Sequence, residues 1–239
     1  MEDWKQAIML AKFELMNSKR ALISLGTMLI TFSFLMIYAA PQLVESSFYD
    51  LFFLLFIGAA ASWAKPKEFQ IDKMRDGSWG VSYFVMLHQL PIRKAVLIKN
   101  RFVIYYVYSI PAHMLFLFSM YVFSEEIRTI LTFSEYAAFT IIWLSFAVYW
   151  GALFPLTEVG EVTKMSPFKM WLYTWLVIAI IIGGVALLKF YTGYGVVYSS
   201  MMLAKKWPLL LSVLSIIAAV ACTKLAIRQA NKKIMKIDY

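Results

Sequence analysis

The chain has 239 residues, of which 62% are hydrophobic and 15% are charged, and its formal net charge is +9. Soluble domains contain roughly 45–50% apolar and about 25% charged residues, so this composition excludes an ordinary soluble globular protein. A basic excess is also typical of the cytoplasmic face of a membrane protein, so nucleic acid is not expected as a partner.

The first 20 residues have the pattern of an amphipathic helix. Apolar side chains recur at helical spacing and lysines occupy another face: Trp4, Ala7, Ile8, Ala11 and Leu15 against Lys5, Lys12 and Lys19. This pattern predicts an interfacial helix over residues 1–20, lying in the inner membrane interface. The helix either guides lateral motion of a bundle or merely anchors the N-terminus, and both interpretations stay open.

The remaining apolar residues form six blocks. A helix needs about 20 residues to cross a hydrocarbon core of about 30 Å, and the blocks approach that length: 21–40, 48–63, 102–123, 136–157, 170–188 and 207–223. They are continuous rather than alternating, which predicts helices and not strands. The second block is the shortest, with Asp50 expected at its outer interface, and a tilted or re-entrant element stays open there.

The longest segment between blocks is residues 64–101, which joins the predicted spans two and three. Lys65-Pro66-Lys67 ends span two, because proline and charge do not continue a membrane helix cheaply. Ser78 is a candidate N-cap for a helix that Pro91 ends, and Ile92–Lys99 forms a second amphipathic turn before span three. The first of these helices contains Trp79, Tyr83, Phe84, Leu87 and Leu90. A loop of this length is usually functional, so the sequence favours a docking surface for a soluble partner over a solvated loop.

Basic residues divide unequally between the two sides of the predicted bundle. Nineteen of the 23 Lys and Arg residues lie in the N-terminus, the two loops 64–101 and 158–169, and the tail. The other side has Arg128, Lys189, Lys205 and Lys206. Positive charge accumulates on the cytoplasmic side, which predicts six spans with both termini in the cytoplasm.

These elements make one transmembrane domain over residues 1–239. After the interfacial helix, spans one and two occupy 21–63, the long cytoplasmic loop 64–101, and spans three to six 102–223. The basic tail, 224–239, is expected to lie against anionic lipid headgroups. The fold class predicted from the sequence is therefore an all-α polytopic membrane protein.

Reactive groups are scarce within the blocks. Proton-coupled transporters keep ionisable relays at depth, and here His113 is the one ionisable residue near a span centre. It follows Pro111, so it either lines a cavity at a kink or hydrogen-bonds a neighbouring helix. The sequence has no phosphate-binding loop, no His-Glu-x-x-His motif and a single cysteine, Cys222. An ATPase that powers the protein would therefore be another polypeptide.

This layout resembles the permease subunits of ABC-2 type (type V exporter-like) ABC transporters, of the small bacterial six-span type. The resemblance covers the whole chain: an amphipathic N-terminal helix, six spans, internal termini and a long loop between spans two and three. Its motif is Leu90-Pro91-Ile92-Arg93-Lys94, followed by Lys99 and Arg101. The chain departs from the pattern in having no large extracellular domain.

The resemblance implies a multi-pass subunit of the bacterial inner (plasma) membrane that pairs with a second permease copy or a paralogue. Cytoplasmic ABC ATPase subunits would bind ATP and Mg²⁺, so the chain itself would bind no cofactor and would not be an enzyme. A coupling helix would sit in an ATPase groove through Asp76, Trp79, Tyr83, Leu87, Leu90, Pro91, Arg93 and Lys94. Few polar groups in the spans favour a hydrophobic or amphipathic cargo, such as an antimicrobial peptide.

Two other functional classes stay open. A membrane immunity or sensor protein would bind a toxic peptide without ATP coupling, and it would protect cells that have no ATPase. A lipid-modifying enzyme would need reactive side chains at the interface, for which the loop up to Lys169 offers Glu158, Glu161 and Lys164. A solvated loop is the better explanation of that cluster.

Overall fold

Helices joined mostly by short turns make up this computed structural model, which describes residues 2–44, 46–63, 72–73, 79–80, 84, 86–87, 89–159 and 166–234. The helices are α1 Glu2–Asn17, α2 Lys19–Tyr38, α3 Ser47–Trp63, α4 Lys94–Phe123, α5 Glu125–Ile130, α6 Phe133–Gly151, α7 Leu153–Glu158, α8 Pro167–Thr192, α9 Val196–Lys206 and α10 Pro208–Ile234. A 3₁₀ turn covers Ala40–Gln42, and the two-residue strands β1 Asp72–Lys73 and β2 Trp79–Gly80 pair antiparallel.

Five stretches of helix are long and apolar enough to cross a membrane: Lys19–Tyr38, Lys94–Phe123, Phe133–Glu158, Trp171–Thr192 and Pro208–Ile234. Helix α3 has a shorter apolar stretch, Ser47–Gly58. The predicted all-α, polytopic membrane architecture is confirmed at this level. A sixth span, through α3, stays a prediction.

Three helices differ from the blocks predicted for them. Helix α4 begins at Lys94, so the amphipathic turn expected over Ile92–Lys99 and span three are one continuous helix. Span four is divided into α6 and α7, since Pro155 has no N–H to donate to the carbonyl of Gly151. Helix α10 continues through most of the predicted tail, because side chains of its last turns are buried: Ala226, Ala230 and Ile234.

Helix α4 is the centre of the bundle. Half of its most apolar stretch is buried, compared with 6% of that of α8. Aromatic rings fill the space where α3, α4 and α6 meet: the centroids of Phe56 and Phe116 are 4.3 Å apart, and Phe53 packs edge-on against Trp143 at 4.7 Å. Such tilted and edge-on pairs stabilise a helix contact beyond the area that they bury.

Helix α1 packs along the first turns of α4 instead of presenting one apolar face. Ala7 and Ala11 are buried, and Ala11 lies in a cluster with Ile104 and Tyr105 of α4. Their small side chains allow two helix backbones to approach closely. The large side chains Trp4 and Ile8 stay exposed, so the apolar face predicted for this helix is split in two. Its position in a membrane interface stays a prediction.

Asp50 is fully buried within the protein, and its position at the outer interface stays a prediction. Its Oδ1 accepts a hydrogen bond from the backbone N–H of Val197, 2.8 Å away, in the first turn of α9. Free N–H groups and the positive end of the helix dipole make such a site suitable for a carboxylate. Gly195 lies beside this carboxylate, and the site requires a residue without a Cβ, because a Cβ there would be 2.1 Å from Asp50 Oδ2.

The long loop also differs from its prediction. Trp79 lies in β2, opposite Lys73, and not in a helix that starts after Ser78. Glycine at 77 and 80 disfavours a helix there, and an aromatic residue between them favours a strand. Helical backbone is present at Phe84, Met86 and Leu87. Lys65-Pro66-Lys67, Asp76, Ser78 and Tyr83 lie outside the described residues.

Candidate functional site

Phe84 and Leu87 anchor the loop before α4 in the bundle. Their side chains are 1% and 3% exposed, respectively. They lie in an apolar cluster with residues from three other parts of the chain: Leu97, Ile98 and Phe102 of α4, Ala152, Leu156 and Val159 around α7, and Ala226, Ala230 and Ile234 of α10. We call the end of the bundle that holds this cluster the loop end. The sequence predicts Leu87 on a partner-facing surface, but its side chain instead fills this cluster.

A small exposed surface follows directly after these anchors. Met86 and Leu90 are about half exposed, and the side chains of Pro91 and Arg93 also reach the solvent-accessible surface. We call these four residues the turn patch. Tight backbone hydrogen bonds hold it: Gln89 N–H to Met86 O, Leu90 N–H to Leu87 O, and Ile92 N–H to Leu90 O at 2.7 Å. Of the predicted coupling residues, Leu90, Pro91 and Arg93 therefore lie together on one surface.

The two basic residues of the motif connect the turn patch to other helices. Arg93 Nη1 lies 3.0 Å from Asp3 Oδ1, and its Nη2 donates to Gln6 Oε1 of α1 at 3.2 Å. Lys94 Nζ donates to the carbonyl oxygen of Ile234, at the end of α10, at 3.5 Å. The sequence predicts these two side chains on a partner-facing surface. In the structure they connect the turn patch to α1 and α10.

Lys99 makes a second connection between α4 and α1. Its Nζ lies 3.0 Å from Asp3 Oδ2 and 5.5 Å from the centre of the Trp4 ring. The hydrogen bond from Lys99, together with the charge of Arg93, holds the pKa of the Asp3 carboxyl below its ordinary value of 3.8. Asp3 is therefore ionised at neutral pH and is paired with two cations, Arg93 of the turn patch and Lys99 of α4.

A buried ion pair makes the third connection. Arg101 Nη2 donates to both carboxylate oxygens of Glu14 and, at 2.7 Å, to Asn100 Oδ1. Asn100 Nδ2 donates to Glu14 Oε1 at 3.2 Å. The side chains of Arg101 and Glu14 are 1% and 3% exposed, so this network holds α1 and α4 together away from water.

Sequence reasoning missed the role of Glu14 and assigned Arg101 only to the basic loop. One signal was present: Glu14 follows Ala7 and Ala11 at the i, i+4, i+7 spacing of one helix face. An acidic residue on a face of small side chains indicates a close helix contact that includes a cation.

His113 and Pro111 lie on different sides of α4. His113 is fully buried: its Nδ1 is 3.0 Å from Ser109 Oγ, its Nε2 is 3.4 Å from the carbonyl oxygen of Phe56, and its ring packs edge-on against that of Phe56. Pro111 is exposed on the outer surface of the helix. Of the two alternatives, the geometry favours a histidine bonded to a neighbouring helix over a shared cavity.

The cluster considered for lipid chemistry is described only in part. Glu158, at the end of α7, is buried, whereas Glu161 and Lys164 lie outside the described residues. Across the described ranges, no group of three or more His, Cys, Asp or Glu side chains is placed to hold a metal ion. The feature that these ranges contain is the turn patch, whose residues and neighbours contact α1, α4 and α10.

Comparison with protein-family models, with curated proteins and with solved structures found no match to this chain.

Proposed function

We propose that the chain is the transmembrane permease subunit of an ATP-driven ABC transporter. The turn patch would receive a cytoplasmic ATPase subunit, and ATP and Mg²⁺ would bind to that partner. The cargo would be hydrophobic or amphipathic, for example an antimicrobial peptide, and a second copy or a paralogue would complete the pathway.

One observation carries the proposal: the turn patch is exposed, yet it and the residues next to it are attached to several different helices. Phe84 and Leu87 lie in the apolar cluster, Arg93 contacts α1, and Lys94 contacts α10. Only two residues separate Pro91 from the start of α4. A force applied at the patch would therefore move α1, α4 and the end of α10 together, as a motor-driven permease requires.

The proposed topology has six spans, with α3 as the second and both termini in the cytoplasm of a bacterial cell. It is supported by the nineteen basic residues on the side that includes the loop. Helix α3 has 17 residues, which is at the lower end of the range of about 17–25 that crosses a bilayer.

The proposed cargo class is supported by an open groove between α2 and α4, with a volume of about 630 Å³. Its lining is mainly apolar, including Leu29, Phe34, Leu115 and Phe118, with Ser33 and Ser119 as hydroxyl groups. A surface of this kind suits a lipid-like or amphipathic molecule better than a charged solute.

The test is co-expression with the candidate ATPase and measurement of ATP hydrolysis in the purified complex. Replacing Leu90 by Arg puts a charge in the centre of the turn patch, so we expect at least a tenfold loss of permease-dependent ATP hydrolysis. Leu87→Arg is unsuitable because it would place a charge in the apolar cluster and disrupt folding.

The matched control is Phe168→Arg, which places the same charge on another exposed apolar residue next to the start of α8. It should leave hydrolysis close to that of the unmodified complex. Equal rates of ATP hydrolysis in the Leu90→Arg and unmodified complexes, with the ATPase still bound, would show that the turn patch does not couple the two subunits.

The second candidate is an immunity or sensor protein that binds a toxic peptide without ATP coupling. The groove between α2 and α4 favours it, because a surface open at the side can bind a ligand without a motor. Cells that express the chain but have no ATPase gene separate the two: retained peptide resistance supports this candidate, and lost resistance supports the permease.

A further inference from the structure

A second open groove lies at the loop end, between α1, the first turns of α2, and α4. Its volume is about 600 Å³. The walls are aliphatic and come from all three helices: Ile8, Leu15, Leu22, Val103 and Val107. Lys12 and Lys19 belong to the same lining, so the groove combines an apolar floor with two ammonium groups.

The acidic residues of α1 do not neutralise these two lysines. Asp3 is bound by Arg93 and Lys99, and Glu14 by Arg101. Lys12 and Lys19 are both exposed, and neither forms an ion pair with a carboxylate within the described part of the chain. Arg93 and two cations of α4 are thus paired with acidic residues of α1, which leaves excess positive charge beside the groove.

The first turn of α2 adds to this positive character. Lys19 and Arg20 occupy it, and it has no acidic residue. Cations at a helix N-terminus are unfavourable because the helix dipole is already positive there. A bound anion would relieve that repulsion, since it would interact favourably with both the lysines and the helix end.

The apolar walls and the uncompensated cations together determine the occupant. An aliphatic groove beside a membrane-crossing helix accepts an acyl chain, and basic pockets between such helices bind anionic lipid headgroups. A peptide segment or a second copy would have to supply both an apolar surface and a carboxylate, which an anionic phospholipid combines in one molecule.

We infer that this groove binds one anionic phospholipid, with an acyl chain against Leu22, Val103 and Val107 and the phosphate between Lys12 and Lys19. The lipid would fill the space between α1 and the two membrane helices and thereby fix the angle at which α1 lies on α4. The inference needs a membrane-embedded chain and does not depend on the transport function.

The experiment is a native mass spectrometry titration of the full-length chain in detergent. Phosphatidylglycerol and phosphatidylcholine with identical acyl chains are compared. One lysine beside an anionic headgroup raises the affinity for that lipid about fivefold. The unmodified chain should therefore bind phosphatidylglycerol at least about fivefold more tightly than phosphatidylcholine. The double variant Lys12→Gln/Lys19→Gln should lose the preference.

The matched control is Lys169→Gln/Lys206→Gln, which removes the same charge from exposed positions on α8 and α9, outside both the groove and the basic tail. It should retain the preference. A preference that falls equally in both double variants would reveal diffuse attraction to a basic protein and would overturn the site. Absence of any preference in the unmodified chain would overturn it as well.

Two further experiments test whether the apolar walls of the groove bind an acyl chain. Val107→Trp fills the groove from an exposed position, so it should weaken binding of both lipids without a change in charge. Excess glycerol 3-phosphate, which has the phosphate but no acyl chain, should not displace phosphatidylglycerol. Full displacement, or unchanged lipid binding by Val107→Trp, would contradict a groove that holds an acyl chain.

Discussion

Glu14 and Arg101 form an ion pair that is almost completely removed from water. Removing two charges from water costs several kcal/mol, which their attraction and the hydrogen bonds of Asn100 offset. Arg93 and Glu2, by contrast, are exposed and 4.0 Å apart, and such surface pairs contribute little. The contact between α1 and α4 should therefore respond strongly to changes in the buried pair and weakly to changes in the exposed one.

Replacing Glu14 by Gln removes the carboxylate that Arg101 binds in this buried pair. We expect this variant to lose about 3–5 kcal/mol of stability, because an uncompensated buried charge is strongly destabilising. The double variant Glu14→Leu/Arg101→Met, which has neither charge, should lose less. Thermal unfolding in detergent measures both.

Glu2→Gln is the control for that comparison, since it removes an acid from the same helix at an exposed position. Its midpoint of unfolding should stay close to that of the unmodified chain. Equal effects of Glu2→Gln and Glu14→Gln would contradict a special role for the buried pair.

Among the elements, α9 is held by a residue from a distant helix. Asp50 of α3 binds the first turn of α9 and is 147 positions away from Val197 in the chain. The other end of α9 is held by Lys205, which donates to the carbonyl oxygen of Ile130 at 3.2 Å. Val197 and Met201 bury one face of the helix in the main core. Helix α9 is therefore fixed along its length, across the end of the bundle opposite the loop end.

A methyl group at position 195 should loosen this element. In Gly195→Ala the added Cβ would come within 2.1 Å of Asp50 Oδ2, and overpacking of this kind costs about 1–3 kcal/mol. Asp50→Ala/Gly195→Ala, which has no carboxylate to clash with, should lose less than the sum of the two single variants. The shift of the unfolding midpoint tests this coupling.

Gly26→Ala provides the matched control, because a Cβ at this helical position would meet no described residue within 4 Å beyond its own turns of helix. Alanine is the better helix former by about 1 kcal/mol, so this variant should be as stable as the unmodified chain or more so. Destabilisation of Gly26→Ala to the level of Gly195→Ala would contradict the steric explanation.

At the scale of the whole molecule, the two ends of the bundle differ in charge and in construction. Cations of the loop end take part in contacts between helices, through Arg93, Lys99 and Arg101. At the opposite end, the helices are held together by the hydrogen bond between Asp50 and α9 and by the contact of Lys205 with the end of α5. This asymmetry agrees with the charge distribution from which the sequence predicts the orientation in the membrane.

Labelling of single cysteines tests that orientation. In a Cys222→Ala background, Phe48→Cys and Phe133→Cys should react with an impermeant maleimide added to intact spheroplasts, because both side chains are exposed at the end opposite the loop end. Met86→Cys should react only after permeabilisation. Labelling of Phe48→Cys and Met86→Cys from the same side would show that α3 does not cross.

Hydropathy is sufficient to locate the long helices. The predicted blocks 21–40 and 207–223 match the starts of α2 and α10 to within two residues, because an uninterrupted apolar run of this length fits only a membrane helix. The contacts between helices are not predictable in this way. Glu14 and Arg101 are 87 positions apart, and no local period relates them. The inward orientation of Leu87 likewise depends on α7 and α10, which lie far along the chain.

Helix α4 is continuous over 30 residues, so it is about 45 Å long, well beyond a hydrocarbon core of about 30 Å. A helix of this length extends beyond the hydrocarbon core when it crosses a membrane, and its first turn lies directly after the turn patch. Rocking it by about 10° around its midpoint would displace each tip by about 4 Å, on the basis of its length. Pro111, in the second half of the helix, removes one backbone hydrogen bond. The segment after Pro111 can therefore bend relative to the segment before it.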